Sequence, residues 1–157
     1  MSTRSRIALA LPGGNFRSVY CHSDGDPHWN GRILLEHYGD HHKVEGLMGL
    51  GHLSSLGPDL GERHPFEDWE GGACTAYGRD RGEEGTGADE HDGFAELARA
   101  AEESDAEWLY LWLDECWLFC PVCPGIPIRL DEMVRLTAEA VDADRGVGGA
   151  EAPPFLA

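Results

Sequence analysis

Residues 107–120 read EWLYLWLDECWLFC, and this stretch decides the fold class. Trp108, Tyr110 and Trp112 alternate with Leu109, Leu111 and Leu113, the period of two that turns successive side chains of a strand to opposite faces. Both sets are apolar, so the strand needs cover on both sides and belongs at the centre of a sheet. Asp114 and Glu115 supply a turn, and Trp117, Leu118 and Phe119 lead back, which makes a β-hairpin.

A second hairpin stands at the N-terminus. SRIALAL (5–11) puts Ile7, Leu9 and Leu11 on one side at period two, FRSVYCH (16–22) is rich in β-formers, and a Pro-Gly-Gly-Asn turn separates them. Asp26 and Pro27 then form a helix start, with Trp29, Ile33, Leu34, His37 and Tyr38 on one stripe; Gly39 ends that helix, and Asp40 caps another with Val44, Leu47 and Met48 inward. The Gly- and Pro-rich residues 49–72 read as loop, 73–79 as a short strand, and the acidic, Gly-rich residues 82–93 as a mobile loop. Phe94, Leu97, Ala98 and Ala101 mark a further helix, and 129–141 a last amphipathic one.

The expected order is β-β-α-α-β-α-β-β-α. It describes an α+β domain over 1–141, with a single antiparallel β-sheet built from two hairpins plus a short strand and helices packed mainly on one face. Residues 142–157, acidic and rich in Gly and Pro, are expected as a flexible tail.

Twelve basic residues face 29 acidic ones, a formal net charge of −17. Such a balance disfavours direct contact with a nucleic-acid backbone, which needs clustered Lys and Arg, and disfavours an anionic membrane surface. No apolar run approaches the roughly 20 residues of a membrane span. Five apolar residues after Arg4 and Arg6 are too few for a secretory segment, and five scattered cysteines suit a reducing compartment. The expected location is cytoplasmic.

His22, His28, His37, His41 and His42 crowd one stretch beside Asp24, Asp26, Glu36 and Asp40. His37 and His41 have the spacing of helical metal ligands, but Gly39 and Asp40 break the helix between them. Asp24, Asp26 and His28 imitate a calcium loop, yet Trp29 and Leu35 stand where its Gly and Glu are required. His28, His41 and His42 are read as surface residues and His37 as a hydrogen-bonded core residue. His22, at a strand end, followed by Asp24 in a turn, is the candidate with chemical interest. The second unusual stretch is RDRGE (79–83), where Arg79, Asp80, Arg81 and Glu83 alternate in sign. Two guanidiniums so close suit a phosphate or carboxylate clamp, whereas the plainer reading is an internal ion-pair cluster. Convergence of His22 and Asp24 with Arg79–Glu83 would make a pocket for a small anion or nucleotide.

CPVCPG (120–125) with Cys116 ahead of it has the thiol spacing of a zinc knuckle. A fourth ligand is missing, and Cys116 and Cys120 on an extended strand stand about 13 Å apart. The reading is therefore no cofactor and ordinary thiols, with zinc on Cys116, Cys120 and Cys123 as the alternative.

STRS (2–5), VYCHSDGDP (19–27), GRILLEHY (31–38), KVEGLMGLG with LSSLG (43–57) and YGRDRGE (77–83) together resemble an uncharacterised family of small proteins from bacteriophages, prophages and plasmids. The similarity covers roughly residues 1 to 119. It implies an accessory protein with no established enzymatic activity, working in the cytoplasm of a bacterial host. Relatives carry aromatic residues in a turn like HWDGYP; Ser23 and Asp26 replace them here, which removes aromatic stacking at this turn.

Three functions follow as expectations. The first is a small acidic binding protein of a mobile element that inhibits a host defence protein, its acidity imitating DNA, or sequesters a small anionic ligand. The second is a small hydrolase or nucleotide-binding enzyme with His22 as acid/base, Asp24 as its orienting partner or a metal ligand, and Arg79 or Arg81 as anion clamp. The third is an oligomerisation module in which Trp108, Tyr110, Trp112 and Trp117 form an exposed aromatic face that makes a homodimer.

Overall fold

Two strands, β1 (Ser5–Ala10) and β6 (Trp108–Leu113), lie side by side and run parallel, with Ile7 opposite Tyr110 and Leu9 opposite Trp112. The computed structural model describes residues 3–68 and 72–148. Each of the two strands is also half of a hairpin. β1 pairs antiparallel with β2 (Phe16–Cys21), and β6 with β7 (Cys116–Pro121). The second hairpin turns on Asp114 (φ 51) and Glu115 (φ 61), the pair of positive φ values that a two-residue turn needs to match strand twist.

The remaining strands are short. β3 (Leu53–Ser55) runs parallel to β2, and β4 (Thr75–Ala76) antiparallel to β3. β5 (Asp89–His91) pairs with the first half of β2, and β8 (Val134–Arg135) with β7. The path is β4-β3-β2-β1-β6-β7-β8, with β5 beside β2. Among the described residues the sheet is thus eight-stranded and mixed. It corrects the expectation of a single antiparallel sheet made from two hairpins plus a short strand, although strands and helices do combine as α+β.

Helices cover both faces. On one face α1 (Arg32–His37), preceded by a wide helical turn at Pro27–Gly31, α2 (His41–Leu50) and α5 (Ala138–Gly148) enclose Ile7, Leu9, Val19, Tyr110, Trp117 and Phe119. On the other, α4 (Phe94–Glu103) lays Leu97 and Ala101 over Ala8, Phe16, Leu109 and Leu111. A one-turn helix, α3 (Tyr77–Arg81), directly follows β4. The helices are therefore not confined to one layer, because both faces of β1 and β6 are apolar and each needs its own cover.

That cover removes the predicted aromatic interface. Tyr110 is fully buried and Trp112 and Trp117 are 3% exposed, while Trp108 packs against the same core. The Trp117 indole N–H donates to the Tyr38 carbonyl at 2.9 Å. A dimer through these rings has no surface to use.

Other local readings also shift. Residues 82–93 hold β5, since His91 pairs opposite Phe16. In 129–141 the chain forms a turn at Leu130–Glu132, then β8, and becomes helical only at Ala138. Met133 and Leu136 point inward there; their spacing of three suits a helix and an edge strand entering a turn equally. Within the proposed tail α5 continues to Gly148, and residues 149–157 lie outside the described residues.

The turn after β2 is held against the start of β1. Gly25 N–H donates to the Thr3 carbonyl at 2.8 Å, and a Cβ at Gly25 would come within 2.8 Å of the Ser5 Cβ. The Tyr110 hydroxyl donates to the Gly25 carbonyl at 2.6 Å, joining this turn to the central strand. Tyr110→Phe keeps the ring and leaves the carbonyl without that donor, so it is expected to lower stability by about 1–2 kcal/mol. Urea denaturation monitored by tryptophan fluorescence measures this, and an unchanged midpoint would rule out the tether.

Candidate functional site

The strand alternation that buries Cys21 and Leu53 turns Tyr20, His22 and His52 to the opposite face of the sheet, at the end where β1 begins. α4 covers this face over β1, β6, β7 and the start of β2 at Phe16, and its core does not extend to these residues. The Tyr20 hydroxyl and His22 Nδ1 are 2.8 Å apart, and the Arg4 guanidinium lies beside Tyr20. Burial raises the Tyr20 hydroxyl pKa, with Arg4 pulling it the other way.

Beyond β3 the same face continues into α3. Tyr77 hydrogen-bonds to Ser54 and sits 5.6 Å from the Phe66 ring, while the Arg81 guanidinium lies 4.4 Å from the centre of Phe66 and 5.0 Å from that of Tyr77. Arg81 also pairs with Glu83 at 2.6 Å, both side chains being about half exposed. The fold therefore brings His22 and Arg81 to one aromatic sheet face, separated by Tyr20, His52 and Tyr77. Asp24 is exposed with φ 57, and partial burial of its carboxyl raises its pKa.

Arg79 and Asp80 have a different role. The five guanidinium N–H groups of Arg79 donate to Asp80, twice, and to the carbonyls of Leu60, Gly61 and Cys74. Asp80 also accepts from the backbone N–H groups of Ala76 and His64. Burial alone would raise its carboxyl pKa, but these donors outweigh it and hold the pKa below the usual range. The pair pins the 60–64 segment to β4, so Arg79 has no donor left for a ligand. The predicted Arg79/Arg81 clamp is thus reduced to Arg81.

Polar residues that sequence reading missed stand next to this face. Arg6, 5% exposed, donates to Ser18 Oγ at 2.8 Å and pairs with Asp89 at 3.0 Å; Ser18 Oγ lies 2.7 Å from His91 Nε2. Ser18 Oγ thus accepts from Arg6 and shares a hydrogen bond with His91. His52 Nδ1 accepts the Tyr20 N–H at 3.0 Å, so its neutral form carries the proton on Nε2, 3.5 Å from Asp89. Burial lowers both imidazole pKa values and Arg6 adds to the effect, while Asp89 opposes it. The clue in the sequence is Arg6 itself, a charge inside an otherwise apolar strand. His64 behaves oppositely: its two ring nitrogens face the carbonyls of Cys74 and Pro65, which favours the proton and raises its pKa.

The other histidines divide as follows. His28, expected at the surface, is 2% exposed in the Pro27–Gly31 turn, which packs against α1 and α5; His41 and His42 are exposed and His37 is half-buried. Cys21, Cys74, Cys116, Cys120 and Cys123 are free thiols, and burial pushes Cys120 up to about 11. Among the described residues no three His, Cys, Asp or Glu side chains converge to hold a metal ion, and Cys116, Cys120 and Cys123 string out along β7 and the loop beyond it. No described helix is long and apolar enough to cross a membrane. Protein-family models, curated proteins and solved structures give no match to this chain.

Two outcomes follow. Arg79→Ala leaves the Asp80 carboxylate buried without its partner and is expected to cost about 3–5 kcal/mol, whereas Arg81→Ala costs less than about 1 kcal/mol; chemical denaturation of the two variants reads the contrast, and equal losses would refute the division of roles. The second concerns pH. His91 has a folded pKa below its unfolded 6.5, so its contribution is present above that value and lost as pH falls. The His64 pKa is raised above 6.5, so its contribution is present below that value and lost as pH rises. Wild type should therefore lose its stability advantage over His91→Asn on going from about pH 7.5 to about 5.5, and its advantage over His64→Asn in the reverse direction. Parallel profiles for all three proteins would contradict both assignments.

Proposed function

We propose that the chain is a small acidic accessory protein of a phage or other mobile element that acts by binding a basic surface on a host protein, with interference in host defence as its task. The observation that carries this reading is how the charges are distributed. Arg6, Arg17, Arg32, Arg79, Arg81 and Arg129 each pair with a carboxylate of the same chain. Lys43 donates to the carbonyls of His37 and Pro58. The excess of acidic over basic residues, 29 against 12, is left to solvent on segments such as 102–107, 114–115 and 131–132. A negative exterior of this kind attracts a cationic partner and speeds the encounter. The motif resemblance to proteins of mobile elements supports the same reading.

A second reading rests on the sheet face that carries Tyr20, His22, Tyr77 and Arg81. Aromatic rings beside a guanidinium and an imidazole suit a small anion or nucleotide, bound or chemically altered, with His22 as the proton carrier. Arg79 is engaged elsewhere and Arg81 is paired with Glu83, so this reading ranks below the first.

The test is capture of a host protein by the full chain, followed by measurement of the purified pair. Affinity should fall by about tenfold or more between roughly 50 and 300 mM salt. A partner whose affinity ignores ionic strength would overturn the electrostatic basis. If a nucleotide raises Tm in wild type but not in His22→Ala or Arg81→Ala, the second reading replaces the first.

A further inference from the structure

At the other end of the central strands from His22, a cleft of about 490 Å³ opens where β1 and β6 both finish. Adjacent parallel strands bring their carboxyl ends, and the turns that follow, to one place, which is where open sheets commonly form binding crevices. Leu9, Leu11 and Pro12 line one wall, Trp112 and Leu113 another, and the first turn of α2 closes it with His41 and Glu45. Asp114 and Glu115 stand on the rim. The lining thus combines an apolar interior with three carboxylates and contains no Lys or Arg.

His41 does not supply the missing charge. Its Nδ1 accepts the Trp112 indole N–H at 3.0 Å, and its Nε2 lies 3.9 Å from Glu45. Neutral His41 therefore keeps its proton on Nε2, toward Glu45, and the indole N–H is already engaged. Asp114 and Glu115 have no salt-bridge partner among the described residues.

From this we infer that the cleft receives a Lys or Arg side chain projecting from the basic partner. An aliphatic stem against Leu9, Leu11 and Pro12 would lose little by leaving water, while the ammonium or guanidinium stays at the rim within reach of Glu45, Asp114 and Glu115. The volume falls within the range of about 300–1,000 Å³ found for sites that enclose small groups. This inference rests on the reading of a basic protein partner and names the point at which that partner is gripped.

The test titrates the full chain, isotopically labelled for NMR, with Nα-acetyl-lysine N-methylamide and Nα-acetyl-arginine N-methylamide, using the norleucine analogue as a neutral control. The Trp112 indole N–H and the amides of residues 113–115 should shift to saturation with the cationic probes. Glu45→Gln and Glu115→Gln, both at exposed positions, should each weaken the effect roughly fivefold. Absence of shifts up to about 20 mM probe, equal shifts with the neutral analogue, or indifference to both substitutions overturns the inference. The two proposals also fail separately. A salt-sensitive complex with the captured partner that is unaffected by Glu45→Gln and Glu115→Gln leaves the binding function standing and removes the cleft from it. Probe binding in the cleft with no salt-sensitive partner removes the function and leaves a cation site.

Discussion

The parallel pairing of β1 with β6 is the contact on which the rest of the molecule depends. It joins two hairpins that would otherwise be separate and buries Ile7 beside Tyr110 on one face and Ala8 beside Leu111 on the other. A strand pair apolar on both sides must be covered twice, and α1, α2 and α5 take one side while α4 takes the other. Because the two strands point the same way, their carboxyl ends open one cleft, and the opposite end carries the face with Tyr20 and His22.

Electrostatics divides the chain into an inside and an outside. Arg6 lies almost wholly within the sheet and is held by Ser18 and Asp89, and Arg79 spends every donor on the segment between Leu60 and Asp80. Removing a buried ionic partner is costly because the remaining charge has lost its water without compensation. These arginines therefore serve as cross-links, and the solvent-facing surface is correspondingly acidic. The histidines divide in the same way: burial, helped by the nearby Arg6 cation, favours the neutral form of His52 and His91, whereas His64 faces carbonyl oxygens and favours the charged one.

Much of this was legible along the chain. The alternation in 107–120 and 5–22 marks both hairpins, Asp40 caps α2 through the His42 N–H, and the two apolar sets of β6 announce burial on both faces. The site was legible only in part. His22 and Arg81 do share a face, yet Asp89 and His91 sit in a segment that reads as acidic loop, and they become part of a site only when β5 pairs with β2.

Sequence by itself determined which segments are strands and helices in the hairpins, the α2 cap and the α4 face, because these follow from side-chain periods and local hydrogen bonds. It also determined the acidic balance. Tertiary structure alone decided that β1 and β6 run parallel, that the aromatic residues of β6 and β7 are core rather than interface, and that Arg79 is a buried tie while Arg81 forms a half-exposed pair with Glu83. The physical reason is that burial on two faces is satisfied equally by a parallel or an antiparallel neighbour. The choice rests on packing among residues about a hundred positions apart, which leaves no mark in the local period.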